Sequence, residues 1–172
     1  MERGLVEIYY GDGKGKTTAA AGLCARAAGQ GLRAGFFQFL KGRASGEQAA
    51  LAKLGVRVSA PPQSDKFIFQ MSAAEQAEAA RVQNANLAAA ALAAPGLDLL
   101  VLDEALTAMD LGVLDRRQLL QLAREKPAGL ELVITGHRPD VELFGLADYI
   151  TRFTAERHPY EHGIGARRGI EY

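Results

Sequence analysis

“VEIYYGDGKGKTTAAAG”, residues 6–22, decides how the rest of the chain is read. Its first part is an apolar run that predicts a buried strand over residues 5–10. Its last part predicts a helix over residues 17–28, closed by Gly29-Gln30-Gly31. Between them stand Gly11, Asp12, Gly13, Lys14, Gly15, Lys16, Thr17 and Thr18. The usual phosphate-loop spacing, G-x-x-x-x-G-K-[ST], aligned on Gly15-Lys16-Thr17, calls for a glycine at position 10. Tyr10 occupies that place and the glycine is displaced to 11. The remaining chemistry is intact. Gly11, Gly13 and Gly15 allow tight turns and close approach of backbone to a ligand. Their N–H groups, with the helix N-terminus, make a concave anion site. Lys16 neutralises phosphate oxygens and Thr17 offers a hydroxyl to a divalent cation. Lys14 adds a second positive charge, and Asp12, itself an anion, is read as shaping the turn. A glycine-rich turn formed by chance is the plainer alternative. The strand before, the helix after and the Lys-Thr-Thr run favour nucleotide binding.

Outward from this loop, apolar runs alternate with helical patterns. “AGFFQFL” (34–40) and “VRVS” (56–59) read as strands around a short helix, “GEQAALAKLG” (46–55). A turn is expected at Pro61-Pro62. Ser72-Ala73-Ala74-Glu75 fits a capping box and opens a long alanine-rich helix that Pro95-Gly96 stops. “LDLLVLDE” (97–104) is a buried strand, and Asp115-Arg116-Arg117-Gln118 suggests a second capping box. “ELVITG” is another strand, a helix is expected around 139–146, and the tail from 159 is irregular and rich in glycine. Strands alternating with helices imply an α/β fold: a mainly parallel sheet flanked by helices on both faces, of the RecA-like P-loop NTPase kind. We read residues 1–172 as a single domain.

Asp103 and Glu104 end a buried strand, the edge of a parallel sheet where ligands sit. Carboxylates there can hold Mg²⁺ directly or through water. A helix N-cap is the alternative for Asp103. On the residues alone, Glu104 would be a base that activates water, which would make the chain an ATPase.

The bulk composition narrows the classes. The chain has 172 residues, 48% hydrophobic and 23% charged, with 20 basic and 20 acidic side chains. Basic residues never run beyond two in a row, which argues against a dedicated nucleic-acid binder. No segment is long and apolar enough to span a bilayer, and the start has no secretory h-region. A cytoplasmic protein without nucleic-acid or membrane partners is expected. The lone cysteine, Cys24, excludes an intrachain disulfide and is read as packing.

“GDGKGKTTAAAG”, “QFLKG”, “LVLDE”, “VITGHRP”, “LADYIT” and “HPYEHGIGARRGIEY” follow one another in the order seen in P-loop-type cob(I)alamin (corrinoid) adenosyltransferases. The resemblance runs from about residue 3 to residue 172, and the “QFLKG” and C-terminal motifs are its most specific parts. It implies transfer of the 5′-deoxyadenosyl group of ATP to Co(I) of cobalamin or a precursor, with triphosphate leaving whole. It implies ATP as co-substrate, Mg²⁺ or Mn²⁺, a reduced flavoprotein as electron donor and a homodimer. It gives Phe67 and Phe69, two aromatics at strand spacing, a corrinoid-facing role that removes the lower axial ligand; core packing is the alternative. Gln38 and Lys41 stand at the end of the second strand, on the ligand edge, and are expected as corrinoid contacts, a solvated loop being the alternative; His158 matches the family's His-Pro, and the resemblance makes it a corrinoid contact lining the pocket. The family's arginine after Thr-Gly is replaced by His137; either Arg138 takes over by a backbone shift or the contact is absent. His158 and His162 do not form a metal pair, because Pro159 and Gly163 oppose a helix between them. Arg167 and Arg168 meet phosphate or solvent. Some relatives carry an N-terminal helix over the active site, whereas this sequence begins near its first strand. Shielding of the cobalt is then expected from a partner subunit, or to be less complete. A RecA-like ATPase or switch domain remains the competing reading. A small-molecule kinase would need an acceptor site with a base, and none is evident.

Overall fold

A computed structural model describes residues 2–41, 45–60, 64 and 66–170. The expected Pro61-Pro62 turn and the last two residues of the C-terminal motif lie outside the described residues. The strands are β1 (Val6–Tyr10), β2 (Ala34–Gln38), β3 (Arg57–Ser59), β4 (Leu99–Asp103), β5 (Glu131–Gly136) and β6 (Tyr149–Arg152). The helices are α1 (Lys16–Gly29), α2 (Gly46–Lys53), α3 (Ala73–Ala93), α4 (Ala105–Asp110), α5 (Arg116–Glu125) and α6 (Val141–Leu146). All six strands join one sheet in the order β3-β2-β4-β5-β1-β6, and every pairing is parallel. Helices cover both faces, as expected for a parallel sheet.

Side chains alternate across each strand, so the sheet feeds two cores. Ile8, Phe37, Leu100, Leu102, Leu132 and Ile134 face α3, α4, α5 and α6. Phe36, Leu99, Val101 and Val133 face α1 and α2, where Ala20, Cys24 and Leu51 meet them. Cys24 is fully buried, and burial, with a smaller contribution from the Asp103 charge, pushes its thiol up to about 12. That is a packing residue, as its sequence context suggests.

Several local expectations are met and others corrected. Ser72 and Glu75 close the capping box at the start of α3: the Glu75 N–H donates to Ser72 Oγ at 3.3 Å and the Ser72 N–H to Glu75 Oε2 at 2.8 Å. The second box does not close. Asp115 accepts from the N–H groups of Arg117 and Gln118, but its own N–H donates to Asn84 Oδ1 on α3 at 2.8 Å. A tertiary partner has replaced the local one. Strand β2 ends at Gln38 instead of 40, because Leu40 turns into the left-handed region with φ 59°. Phe67 and Phe69 are not on a strand: residues Ile68–Gln70 form a 3-10 turn.

Candidate active site

The loop between β1 and α1 explains the displaced glycine. Tyr10 is still strand, and its ring packs edge-on against Phe144 of α6 at 5.1 Å between centroids. The backbone therefore turns one residue late. Gly11 has φ 115°, and a Cβ there would lie 2.2 Å from the Phe153 carbonyl oxygen. A Cβ on Gly13 would lie 2.7 Å from the backbone of both Phe153 and Thr154. The Gly13 N–H donates to Phe153 O at 2.9 Å, and the Gly11 N–H donates to His137 O at 3.0 Å. The glycines are thus required by the chain that leaves β6, which clamps the loop from outside. Lys16 is 6% exposed, and its ammonium donates to the carbonyls of Gly11 and Gly13 at 2.7 and 2.9 Å.

Beside Thr17 three strand ends meet. Parallel register sets Gln38 opposite Asp103. Pleat alternation places Gln38, Asp103 and Thr135 on the α1 face, two residues beyond Phe36, Val101 and Val133. All three are fully buried. Asp103 accepts from Thr17 Oγ1 (3.2 Å), Gln38 Nε2 (3.0 Å) and Thr135 Oγ1 (2.8 Å). Burial raises its carboxyl above the ordinary range; hydrogen bonds from Gln38 and Thr135 pull it back and the Glu104 charge adds to the rise. A negative site that is costly to keep charged favours a cation beside it.

Glu104 is not in the strand. It caps α4 in a left-handed conformation, φ 62° and ψ 17°, without a side-chain capping bond. For a residue with a Cβ this costs about 1–3 kcal/mol and persists only where surroundings enforce it. Two hydroxyls do so: the Glu104 N–H donates to Thr135 Oγ1 at 2.9 Å, and Thr107 Oγ1 donates to Glu104 Oε2 at 2.5 Å. The turn directs the Glu104 side chain to a small hollow of about 180 Å³ shared with Gly13, Lys14, Gly15, Lys16, Thr17 and Thr18. Among the described residues no group of three His, Cys, Asp or Glu could hold a metal. The oxygen set of Thr17, Asp103 and Glu104 suits Mg²⁺ or Mn²⁺ of the kind that takes one or two carboxylates and completes its shell with phosphate and water.

A larger cavity of about 700 Å³ opens beside the loop. Asp12, Lys14, Lys16, His137, Arg157, His158 and Arg167 contribute to its walls. His158 is one of its lining residues. Arg138 is not: it is largely exposed and pairs with Asp110 at 3.4 Å, and His137 fills the wall instead. The His137 N–H donates to Thr107 Oγ1 at 3.1 Å, which fixes the backbone at this position.

The other expected corrinoid contacts lie apart from this cavity. Gln38 is buried, and its amide is committed to Asp103, Glu47, Ser45 and Gln48, so it supports the carboxylate site and has no surface for a ligand. Lys41 faces Glu47 at 3.8 Å. Phe67 and Phe69 are 67% and 78% exposed and stacked, with centroids 5.4 Å apart and planes 6° from parallel. Core packing is thereby rejected for this pair. Ile68 points inward to the core, and Gln76 ties down its carbonyl at 3.2 Å. Sequence reasoning missed Thr135, Thr107 and Arg157. The first was legible in principle: two residues after Val133, it shares that residue's face at the ligand edge.

Comparisons with known proteins identify the family. The chain matches the family model described as ATP:corrinoid adenosyltransferase BtuR/CobO/CobP over residues 2–172. It is 34% identical to the corrinoid adenosyltransferase of Pseudomonas aeruginosa, covering 99% of this chain and 85% of that one. It is 32% identical to corrinoid adenosyltransferase CobA of Salmonella typhimurium, covering 99% and 87%. The solved KaiC-like protein of Pyrococcus horikoshii is a distant likeness, 19% identical with a TM-score of 0.48, covering 89% of this chain and 73% of that one. A family match across almost every residue, joined to a phosphate loop beside the Asp103 and Glu104 carboxylates, leaves one conclusion: the chain belongs to the ATP:corrinoid adenosyltransferase family.

Proposed function

We propose that this protein transfers the 5′-deoxyadenosyl group of ATP to the cobalt of a corrinoid, as a single domain over residues 1–172. The observation that supports it most is the membership of the whole chain in the family, together with a loop built to hold a triphosphate. Co(I) attacks ribose C5′, the new Co–C bond forms as the C5′–O bond breaks, and triphosphate leaves with the electron pair. Cobalt passes formally from Co(I) to Co(III), and no proton has to be removed. A protein base is therefore unnecessary, and Glu104 is a cation ligand in this reading.

The chain's own groups then have three tasks. Lys16 turns from the Gly11 and Gly13 carbonyls to the phosphates, and the loop N–H groups help stabilise charge gathering on the leaving triphosphate. Thr17, Asp103 and Glu104 hold Mg²⁺ or Mn²⁺, which neutralises phosphate charge when bound. Lys14, His137, His158 and Arg157 line the adjoining cavity, where substrate is aligned and water excluded. The exposed Phe67-Phe69 stack receives one face of the corrinoid and favours loss of its lower axial ligand, and Lys41 is a further polar contact to it. A homodimer in the cytoplasm, with a reduced flavoprotein supplying the electron that brings the corrinoid cobalt to Co(I), completes the proposal. Anaerobic incubation with chemically reduced cobalamin and ATP tests it: a light-sensitive Co–C product must accumulate. An unchanged corrinoid spectrum under conditions where ATP is consumed would reject it.

A further inference from the structure

Two threonine hydroxyls outside the expected site residues occupy both their hydrogen-bonding directions at the carboxylate pair. Thr135, on β5 between the loop strand and the carboxylate strand, donates to Asp103 Oδ1 at 2.8 Å and accepts the Glu104 N–H at 2.9 Å. Thr107, one turn into α4, donates to Glu104 Oε2 at 2.5 Å and accepts the His137 N–H at 3.1 Å. The His137 carbonyl accepts from Gly11 at 3.0 Å, so the run of bonds returns to the phosphate loop. One carboxylate is held by its side chain, the other by its backbone and its side chain. The held backbone is one of two non-glycine residues in the left-handed region among those described.

We propose that Thr135 is a positioning residue for the divalent cation. Its single hydroxyl fixes the Asp103 carboxylate and, through the same oxygen, the left-handed backbone that aims Glu104; Thr107 locks the aimed carboxylate and couples it to the His137 wall. The inference rests on the proposed use of Asp103 and Glu104 as cation ligands. Without the Thr135 hydroxyl, Asp103 loses a donor and the Glu104 N–H loses its acceptor, while valine keeps the shape of the residue. Glu104 then relaxes towards an ordinary backbone conformation, and its carboxylate leaves the hollow beside Thr17 and Thr18. Serine retains both bonds.

The test is ATP binding by the whole chain, followed by calorimetry at stepped Mn²⁺ concentrations, for wild type, Thr135→Val, Thr135→Ser and Thr107→Val. Thr135→Val is expected to raise the Mn²⁺ concentration for half-maximal enhancement of binding about 10-fold or more. Binding measured with chelator should stay within about 2-fold of wild type, because the loop is untouched. Thr135→Ser should remain within about 3-fold and Thr107→Val should fall between the two. A folded Thr135→Val protein with the wild-type Mn²⁺ response would overturn the inference. Should that variant not fold, a Thr107→Val protein with an unshifted response would do the same. Wild type that binds ATP equally with and without Mn²⁺ would instead remove the cation-ligand reading on which the inference stands, and the inference with it.

Discussion

Replacing Phe69 by alanine separates a ligand platform from a structural element. A phenylalanine buries on the order of 150–250 Å² when fully enclosed. Since Phe67 and Phe69 are 67% and 78% exposed, roughly 100–200 Å² of each remains open. Covering one face of a ring, about half of that area, is worth about 1.3–2.5 kcal/mol at ~25 cal/mol per Å². Corrinoid affinity should therefore weaken roughly 10- to 70-fold in Phe69→Ala. The fold should hardly notice. Loss of the stacked pair removes at most about 1.5 kcal/mol, a Tm shift of no more than about 4 °C for a chain of this length. A core phenylalanine would cost about 3–5 kcal/mol and, by the same conversion, shift Tm by about 8 °C or more. The assay is titration of cob(II)alamin followed by absorbance, with turnover measured from Co(II) plus reductant and from pre-reduced Co(I). Turnover from Co(II) should fall far more. A large drop in Tm with unchanged corrinoid affinity, or equal losses from both starting states, would show that the pair is not a corrinoid platform.

Other outcomes follow from individual residues. Lys16→Ala should lower ATP binding or turnover about 10²-fold, the scale of losing a preorganised charge contact; nucleotide titration and initial rates read it. Gly11→Ala places a Cβ 2.2 Å from the Phe153 carbonyl in a backbone with φ 115° and should abolish ATP binding, whereas Gly22→Ala, with open space around its Cβ inside α1, should gain about 0.4–1 kcal/mol in urea unfolding. Glu7 is half-buried, and burial, with Glu131 beside it and Tyr9 opposing, raises its carboxyl. Its contribution to stability is full below the ordinary carboxylate range and lost as pH rises through the raised value. The Tm of Glu7→Gln relative to wild type should therefore be higher at pH 8 than at pH 4. Arg138→Ala, which removes only an exposed pair with Asp110, should leave turnover within about 2-fold.

The phosphate loop, the carboxylate strand and the alternation of elements were legible because each is encoded locally. Gly11, Gly13, Gly15 and Lys16 declare a loop wherever they fold, and “LLVLD” reads as a buried strand without any partner. What sequence could not supply was contact between distant segments. The displaced glycine makes sense only once Phe153, far along the chain, is seen against it. The box at Asp115 failed because Asn84 competed for its N–H. Phe67 and Phe69 have strand spacing, yet a short turn anchored by Ile68 and Gln76 presents the same two rings side by side. Gln38 looked like a ligand contact because it stands at the correct edge. Its role beside Asp103 depends on strand order, which alternation of elements alone leaves open.

In the proposed reaction triphosphate is seated by the loop and departs uncut while its sugar carbon moves to cobalt. Anaerobic turnover with ATP labelled at the γ-phosphate tests this most directly. The label should appear in tripolyphosphate, in step with formation of the Co–C bond. Label released as free phosphate, with or without corrinoid, would contradict the account.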